Sequence, residues 1–181
     1  NTYTPFVGGV ERSIMTFSEE FRKSGHRVVI VAPTFENMPA DEEDVIRVPA
    51  IQKFNGTDFS VQLPVPGVLP DAFDGFIPDI VHSHHPYLIG DTAVRIAAIY
   101  HVPIVYTFHT FYERYTHYVP FDSPALKRFV MALATGYANM CDAVIAPSRS
   151  VATELKRRGV DARIEIIPTG IDVRRFARGD G

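Results

Sequence analysis

The sequence predicts an α/β fold in which a mostly parallel β-sheet lies between two layers of helices, forming a three-layer sandwich. Short apolar runs alternate with helical patterns along the 181 residues, as they do in parallel sheets covered by helices. Most of these runs are nearly continuous and β-branched, which indicates strands buried on both faces. The predicted strands are residues 27–32, 45–48, 80–82, 102–107, 143–146 and 163–167.

Three amphipathic helices are predicted between these strands. The first and the central helix each repeat apolar residues on one face at helical spacing. These residues are Val10, Ile14, Phe17 and Phe21 in the first helix, and Leu126, Phe129, Val130, Leu133 and Tyr137 in the central one. Gly25 is suited to the left-handed position that ends the first helix. The last helix is expected to begin after Ser148, a good N-cap residue, and to end at Gly159.

Residues 49–78 are expected to form a long and mostly irregular excursion. Prolines and glycines are frequent there, and the apolar residues show no sustained period. One short helix is predicted near residues 71–76. Irregular segments of this length are uncommon in α/β domains and tend to be functional.

Both ends of the chain indicate that further structure belongs to this fold. The glycine pair Gly8-Gly9 opens the first helix without the strand that normally precedes such a turn, so we expect one more strand upstream. Residues 174–181 become polar at a point where a partner domain could begin.

The composition favours a protein of the cytoplasm. The net charge of −3 gives no basic field for nucleic acid. The single cysteine, Cys141, excludes an intramolecular disulfide and agrees with a reducing compartment. No apolar run approaches the roughly 20 residues of a membrane span, although association with a membrane surface stays open.

Gly8 and Gly9 form the first candidate binding element. Two glycines at the start of a helix let a phosphate approach the backbone N–H groups, and the helix dipole favours the negative charge. A glycine pair that stands by itself more often forms a tight turn that binds no ligand.

Histidines follow two of the predicted strands. Residues 82–86 read HSHHP, and His109 lies just past the strand 102–107. Strand geometry places His82 and His84 on one face and His85 on the other, and no cysteine or carboxylate with ligand spacing is nearby, so a zinc site is not favoured. Ligands of open α/β sheets bind beyond the carboxyl ends of the strands. We therefore expect these histidines and the glycine turn to converge on one crevice.

The segment 111–118 (FYERYTHY) is dense in aromatic and polar groups. Such groups suit sugar rings and glycerol-like head groups, while a helix packed by its own aromatics is the alternative.

The acidic run 41–44 is most simply a solvated turn. The basic clusters 127–128 and 156–158 are expected to be solvated faces that could also touch anionic lipid.

Taken together, these motifs resemble those of the GT-B glycosyltransferases of family GT4. Five segments carry the resemblance in the expected order, namely 5–11 (PFVGGVE), 82–86 (HSHHP), 108–110 (FHT), 141–148 (CDAVIAPS) and 167–172 (IPTGID). Within that family, residues 108–118 (FHTFYERYTHY) resemble the diacylglycerol glucosyltransferases, which transfer glucose from UDP-glucose.

The resemblance implies a domain organisation and a reaction. Residues 1–172 would form a Rossmann-like, acceptor-binding N-terminal domain and residues 173–181 the start of an interdomain linker, with the nucleotide-sugar-binding domain lying outside the chain. The reaction would be the retaining transfer of a hexose, without a cofactor or an obligatory metal. Its partners would be a nucleotide-sugar donor, a lipid or sugar acceptor and an anionic membrane surface. The protein would be cytoplasmic and peripheral at the inner face of the cell membrane.

The resemblance also implies roles for individual residues. Gly8 and Gly9 would bind the donor's diphosphate through their backbone, and His109 would be the catalytic residue that positions the transferred hexose. The acceptor side would be formed by His84, His85, Tyr112, Glu113, Tyr115 and His117. Because the second domain is absent, this chain alone is expected to be inactive.

Two other functions remain open at this stage. One is a GT4 transferase that uses a soluble sugar or sugar-phosphate acceptor. The other is a stand-alone Rossmann-like binding module with no enzymatic activity.

Overall fold

A computed structural model describes residues 3–5, 8–39, 41–51, 61–62, 73, 75–114, 123–170 and 173 of the chain. Helices and parallel strands alternate along it, which confirms the predicted α/β class. The elements in order are α1 (Gly9–Lys23), β1 (Ile30–Pro33), β2 (Val45–Val48), β3 (Ala50–Ile51), β4 (Val61–Gln62), β5 (Val81–Ser83), α2 (Ile89–Tyr100), β6 (Ile104–Thr107), a 3-10 helix (Tyr112–Arg114), α3 (Pro124–Asn139), β7 (Ala143–Ala146), α4 (Arg149–Arg157) and β8 (Arg163–Ile166).

The main sheet consists of four parallel strands in the order β5-β6-β7-β8. Each strand pairs with the next one along the chain, and a helical crossover connects them, as parallel pairing requires. Strands β1 and β2 form a separate parallel pair, and β3 and β4 form a short antiparallel ribbon. The strand expected upstream of Gly8 stays a prediction.

The main core lies on the central strands of this sheet. Tyr106 on β6 and Val144 on β7 are fully buried, and they pack with residues of α2, α3 and α4. Cys141 lies in the same cluster with its thiol directed at the Tyr137 carbonyl oxygen, 3.4 Å away. Burial raises the pKa of this thiol to about 12. Cys141 is therefore a structural core residue.

Helix ends match the sequence signals closely. The hydroxyl of Ser148 accepts a hydrogen bond from the Val151 N–H, so Ser148 is the N-cap of α4. Gly25 and Gly159 follow α1 and α4 with φ angles of +88° and +89°, a backbone conformation that residues with a Cβ rarely adopt.

Helix α1 packs inward with part of the predicted apolar face and with polar residues that were not predicted to be buried. Phe21 is 44% exposed, whereas Glu11, Ser13 and Ser18 are buried. Phe17 is the apolar residue of this helix that reaches the histidines, with its ring centroid 6.0 Å from that of His82. Ile14 packs against the apolar cluster of Tyr3, Ile30 and Ala32. The helix therefore covers both an apolar strand and polar strand ends, which explains why its buried residues are partly polar.

Helix α3 also departs from the prediction. Phe129 and Leu133 are 60% and 46% exposed, while Ala134, Tyr137 and Ala138 form the buried face. The Tyr137 hydroxyl donates to Ser83 Oγ at 2.6 Å. Small residues beside this tyrosine let the helix approach closely enough for that hydrogen bond, and the larger apolar residues are left outside.

The remaining loop predictions have mixed outcomes. The ribbon β3–β4 shows that the excursion 49–78 contains short strands, which its irregular apolar spacing did not indicate. Half of the short helix predicted near 71–76 lies outside the described residues, and Phe73 and Gly75 are in turns.

The acidic run 41–44 is not simply a solvated turn. Two oxygens of Glu42 accept hydrogen bonds of 2.6 and 2.7 Å from the Arg47 guanidinium, and both side chains are nearly buried. Arg47 holds the pKa of this carboxyl below its usual range. Arg47 also donates to the Thr4 carbonyl oxygen at 2.7 Å. The pair therefore ties the start of the described chain to β2, a tertiary contact that local charge patterning could not reveal.

Candidate functional site

The candidate site lies at the carboxyl ends of β5 and β6. These neighbouring strands are parallel, with Ser83 in register with Tyr106, so the residues that follow them meet at one edge of the sheet. His84 Nδ1 and His109 Nε2 are 2.9 Å apart and hydrogen-bonded, with ring centroids at 5.3 Å. The structure thus brings together two histidines that the sequence places 25 residues apart.

A histidine row is formed by His82, His84 and His109. The ring of His82 lies 4.2 Å from that of His84, and its Nε2 is hydrogen-bonded to Thr107 Oγ1 at 2.6 Å. Phe17 of α1 contacts both rings. The predicted alignment of His82 with His84 is confirmed. Phe17 and Thr107 were missed as site residues, because their contribution depends on packing between distant elements.

Burial sets the charge state of these histidines. It lowers the pKa of His82 and of His109 to about 4 and that of His84 far below its ordinary value. All three rings are therefore neutral near pH 7. A neutral pair at His84 and His109 shares a single proton between the two nitrogens that face each other. The second nitrogen of His109, Nδ1, has no hydrogen-bond partner among the described residues.

These lowered pKa values predict a specific loss of stability in acid. The unfolded chain protonates its histidines near pH 6.5, whereas the folded chain keeps the partly buried rings of His82 and His109 neutral down to a pKa of about 4. The unfolded state therefore binds more protons in this window, and the free energy of unfolding should fall as the pH drops from about 6.5 to 4.

Urea unfolding midpoints measured at several pH values check this expectation. Replacing His82 by Gln should flatten the decline, because one group with a lowered pKa is removed. A stability that is constant between pH 7 and pH 5 would contradict the prediction.

The first turn of α1 lies beside the histidine row. Gly8 is the N-cap residue with an extended backbone and Gly9 is the first helical residue. The carboxylate of Glu11, one turn into the helix, acts on His109 and opposes the lowering of its pKa. A Cβ added at Gly9 would meet nothing within 4 Å. Within the described residues, packing therefore gives no reason for a glycine at this position.

His85 belongs to a second, aromatic group. Its ring lies 5.0 Å from that of Tyr112, which in turn lies 5.1 Å from that of Tyr87. The Tyr87 hydroxyl donates to the Val130 carbonyl oxygen at 2.9 Å, connecting this group to α3. Burial raises the pKa of both tyrosines, so both hydroxyls remain protonated. Tyr87 was missed by the sequence analysis.

The other predicted acceptor residues differ in their surroundings. The Glu113 carboxylate is nearly buried and accepts a hydrogen bond of 2.7 Å from Arg158. Arg158 therefore does not belong to an exposed basic cluster, unlike its neighbours Lys156 and Arg157. Tyr115 and His117 lie outside the described residues. The roles assigned to all of these residues stay predictions.

Gly90 is a site-supporting residue that the sequence analysis missed. A Cβ at this position would collide with the His85 carbonyl oxygen and would lie 3.1 Å from ring atoms of Tyr137. The absence of a side chain thus allows the segment after β5 to fold closely over the start of α2. A glycine within a helical pattern was the available signal, but only the structure shows what approaches it.

Metal-binding clusters and membrane-spanning helices are both absent from the described residues. No group of three or more His, Cys, Asp or Glu side chains is arranged there to hold a metal ion. No helix in this part of the chain is long and apolar enough to cross a membrane.

Comparison with known proteins identifies the family. The sequence model of Glycosyltransferase Family 4 matches residues 7–175. The chain belongs to this family, and its parallel α/β fold agrees with the N-terminal domain of a GT-B enzyme.

The curated relatives that this chain resembles have two different named activities. The chain is 31% identical over 179 residues to an alpha-monoglucosyldiacylglycerol synthase of Streptococcus pneumoniae, covering 98% of this chain and 41% of that protein. It is 30% identical over 186 residues to the Acholeplasma laidlawii protein of the same name, covering 96% and 46%. A GDP-mannose-dependent alpha-mannosyltransferase of Corynebacterium glutamicum is 26% identical over 189 residues, covering 98% and 43%. The chain thus spans less than half the length of these relatives.

Proposed function

We propose that this chain is the acceptor-side, N-terminal domain of a retaining hexosyltransferase that acts on a lipid. The proposed donor is UDP-glucose and the proposed acceptor is diacylglycerol. The domain would comprise residues 1–172, followed by an interdomain linker and a second domain that binds the nucleotide. The observation that carries the proposal is the neutral His84–His109 pair beside the first turn of α1, in a chain that belongs to this family.

The chemistry of transfer explains what this geometry contributes. The bond between the sugar carbon and the diphosphate breaks while a bond to the oxygen of an acceptor hydroxyl forms. Negative charge builds on the departing diphosphate, which takes up the proton that the hydroxyl loses. Backbone N–H groups at Gly8 and Gly9, at the positive end of the α1 dipole, suit that charge. Fixed donors aimed at developing charge lower the barrier without reorganisation. No cofactor or obligatory metal is required in this scheme.

His109 serves in this proposal as the residue that positions the hexose. Its Nε2 is occupied by His84, so Nδ1 is the atom available for a sugar hydroxyl. A ring whose pKa is lowered to about 4 is a poor acid at neutral pH, because almost none of it carries the second proton. Positioning therefore fits His109 better than proton transfer does.

The acceptor assignment is supported by the names of the two relatives that are at least 30% identical. The group formed by His85, Tyr87 and Tyr112 supplies aromatic faces and protonated hydroxyls, which suit a glycerol backbone.

We place the protein in the cytoplasm, peripheral to an anionic membrane. The exposed Lys127 and Arg128 on α3 would contribute to that association.

A labelling experiment tests the proposal. The full-length protein is offered radiolabelled UDP-glucose or GDP-mannose, each with diacylglycerol in anionic vesicles or with soluble sugars. We expect label from UDP-glucose in the lipid extract and none when residues 1–181 are assayed alone. Preference for GDP-mannose would overturn the donor assignment, and label only in soluble products would favour the soluble-acceptor transferase. No transfer from either donor would favour a binding module.

A further inference from the structure

Arg158 is a nearly buried cation that contacts two carboxylates and one aromatic ring. It directly follows α4, and its side chain is 9% exposed. Nη2 donates to Glu113 Oε1 and Nε donates to Glu154 Oε1, both at 2.7 Å. A buried arginine in such a position is costly unless its charge is paired and its N–H groups are satisfied. The two carboxylates pair this charge and accept hydrogen bonds from two of its N–H groups.

The same guanidinium also holds an aromatic ring. Its central carbon lies 4.6 Å from the centroid of the Phe111 ring, within the range of a cation–π contact. Phe111 in turn packs edge-on against the buried Phe108, with ring centroids 5.1 Å apart. Arg158 thereby contacts both the residue before the 3-10 helix and Glu113 within it.

The 3-10 helix is a single turn and depends on tertiary contacts, which are its packing against α3 and the side-chain contacts of Arg158. Among the described residues, the backbone hydrogen bond that closes it runs from the Arg114 N–H to the Phe111 carbonyl oxygen at 2.9 Å, and one such bond cannot hold a short helix in place. Tyr112 lies between the two contacts of Arg158 in sequence and faces His85 and Tyr87. One side of this turn is therefore fixed to α4 while the other lines the candidate site.

We propose that Arg158 is a positioning residue that sets the acceptor side of the site by clamping Phe111 and Glu113, so that Tyr112 is held against His85. This inference rests on the proposed function. It also reassigns Glu113, whose carboxylate is occupied by the clamp, from acceptor contact to positioning. Loss of the clamp should impair use of the acceptor while leaving the donor side, formed by α1 and His109, intact.

Steady-state kinetics of the full-length protein provide the first test. For Arg158→Met we expect the KM for diacylglycerol to rise about 10-fold, equivalent to about 1.4 kcal/mol, with the KM for UDP-glucose changed less than about twofold. Arg158→Lys keeps the charge but not the planar fork, so it should be intermediate. Arg157→Met is the matched control, because Arg157 also binds Glu154 but is exposed and does not reach Glu113. It should behave as wild type.

Hydrogen–deuterium exchange of the 3-10 helix provides a readout that does not depend on activity. The amides of residues 112–114 should exchange faster in Arg158→Met and in Glu113→Gln than in Arg157→Met or the wild type. Glu113→Gln also preserves the test if Arg158→Met fails to fold. Unchanged exchange in these variants, or equal rises in both KM values, would overturn the inference.

The two proposals fail in different ways. An inactive wild-type protein would count against the proposed function, and exchange would then decide the role of Arg158 by itself. An active wild type whose acceptor KM is insensitive to Arg158→Met would refute the clamp and leave the proposed function standing.

Discussion

Replacing His109 by alanine in the full-length protein is expected to lower kcat for hexose transfer by about 100-fold, the size of effect that follows loss of one fixed polar group at a reacting centre. The substitution removes Nδ1, the atom proposed to hold the sugar, and it leaves the partly buried His84 without its hydrogen-bond partner 2.9 Å away. The KM for the acceptor should change little, since the aromatic group around Tyr112 is not altered.

The kcat values of two further variants show whether the loss is specific to His109. His26→Ala changes an exposed histidine that does not belong to the row, and it should keep wild-type kcat. His84→Ala removes the group that orients His109 but not His109 itself, so its kcat should lie between those of the wild type and His109→Ala. A His109→Ala protein that retains more than half of the wild-type kcat would contradict the role assigned to this residue.

Gly90→Ala is expected to be the most damaging small substitution, lowering the free energy of unfolding by about 2–3 kcal/mol, as overpacking of a tight site does. The added methyl group would overlap the His85 carbonyl oxygen, a backbone atom that cannot move away as the tip of a flexible side chain could. The nearby ring of Tyr137 is itself fixed by hydrogen bonds to Ser83 and Gly90. Relief would therefore require displacement of the segment that carries His84 and His85.

Gly136→Ala is the matched control for this substitution. Gly136 lies in the exposed part of α3, and a Cβ added there would meet nothing within 4 Å. Alanine should therefore stabilise the helix by up to about 1 kcal/mol. Urea or thermal unfolding of the three proteins measures both effects. Equal stabilities for Gly90→Ala and the wild type would show that the segment after β5 accommodates a side chain.

The features that the sequence predicted well depend on local rules. Strands β2 and β7 fall where their β-branched runs indicated, and Ser148 caps α4 because a hydroxyl at that position satisfies an otherwise free N–H group. The approach of His84 to His109 was also predictable in outline. Parallel strands in one sheet end at one edge, so residues that follow them become neighbours whatever their separation in sequence.

The features that the sequence did not predict depend on tertiary partners. Phe129 and Leu133 share the helical spacing of a buried face, but the hydrogen bond from Tyr137 to Ser83 orients α3 so that both remain exposed. Arg158 looked like part of a solvated basic cluster because its partner Glu113 is 45 residues away. Charge patterning describes neighbours along one helix and contains no information about such distant pairs.

Chemical labelling of the single cysteine, Cys141, can report how often the folded structure opens. Cys141 is 5% exposed, and burial raises the pKa of its thiol to about 12. The reactive thiolate is therefore scarce, and reagents cannot reach it while α3 is seated on the sheet. The rate at which an alkylating reagent labels this thiol thus measures how often the central core separates, without any engineered probe.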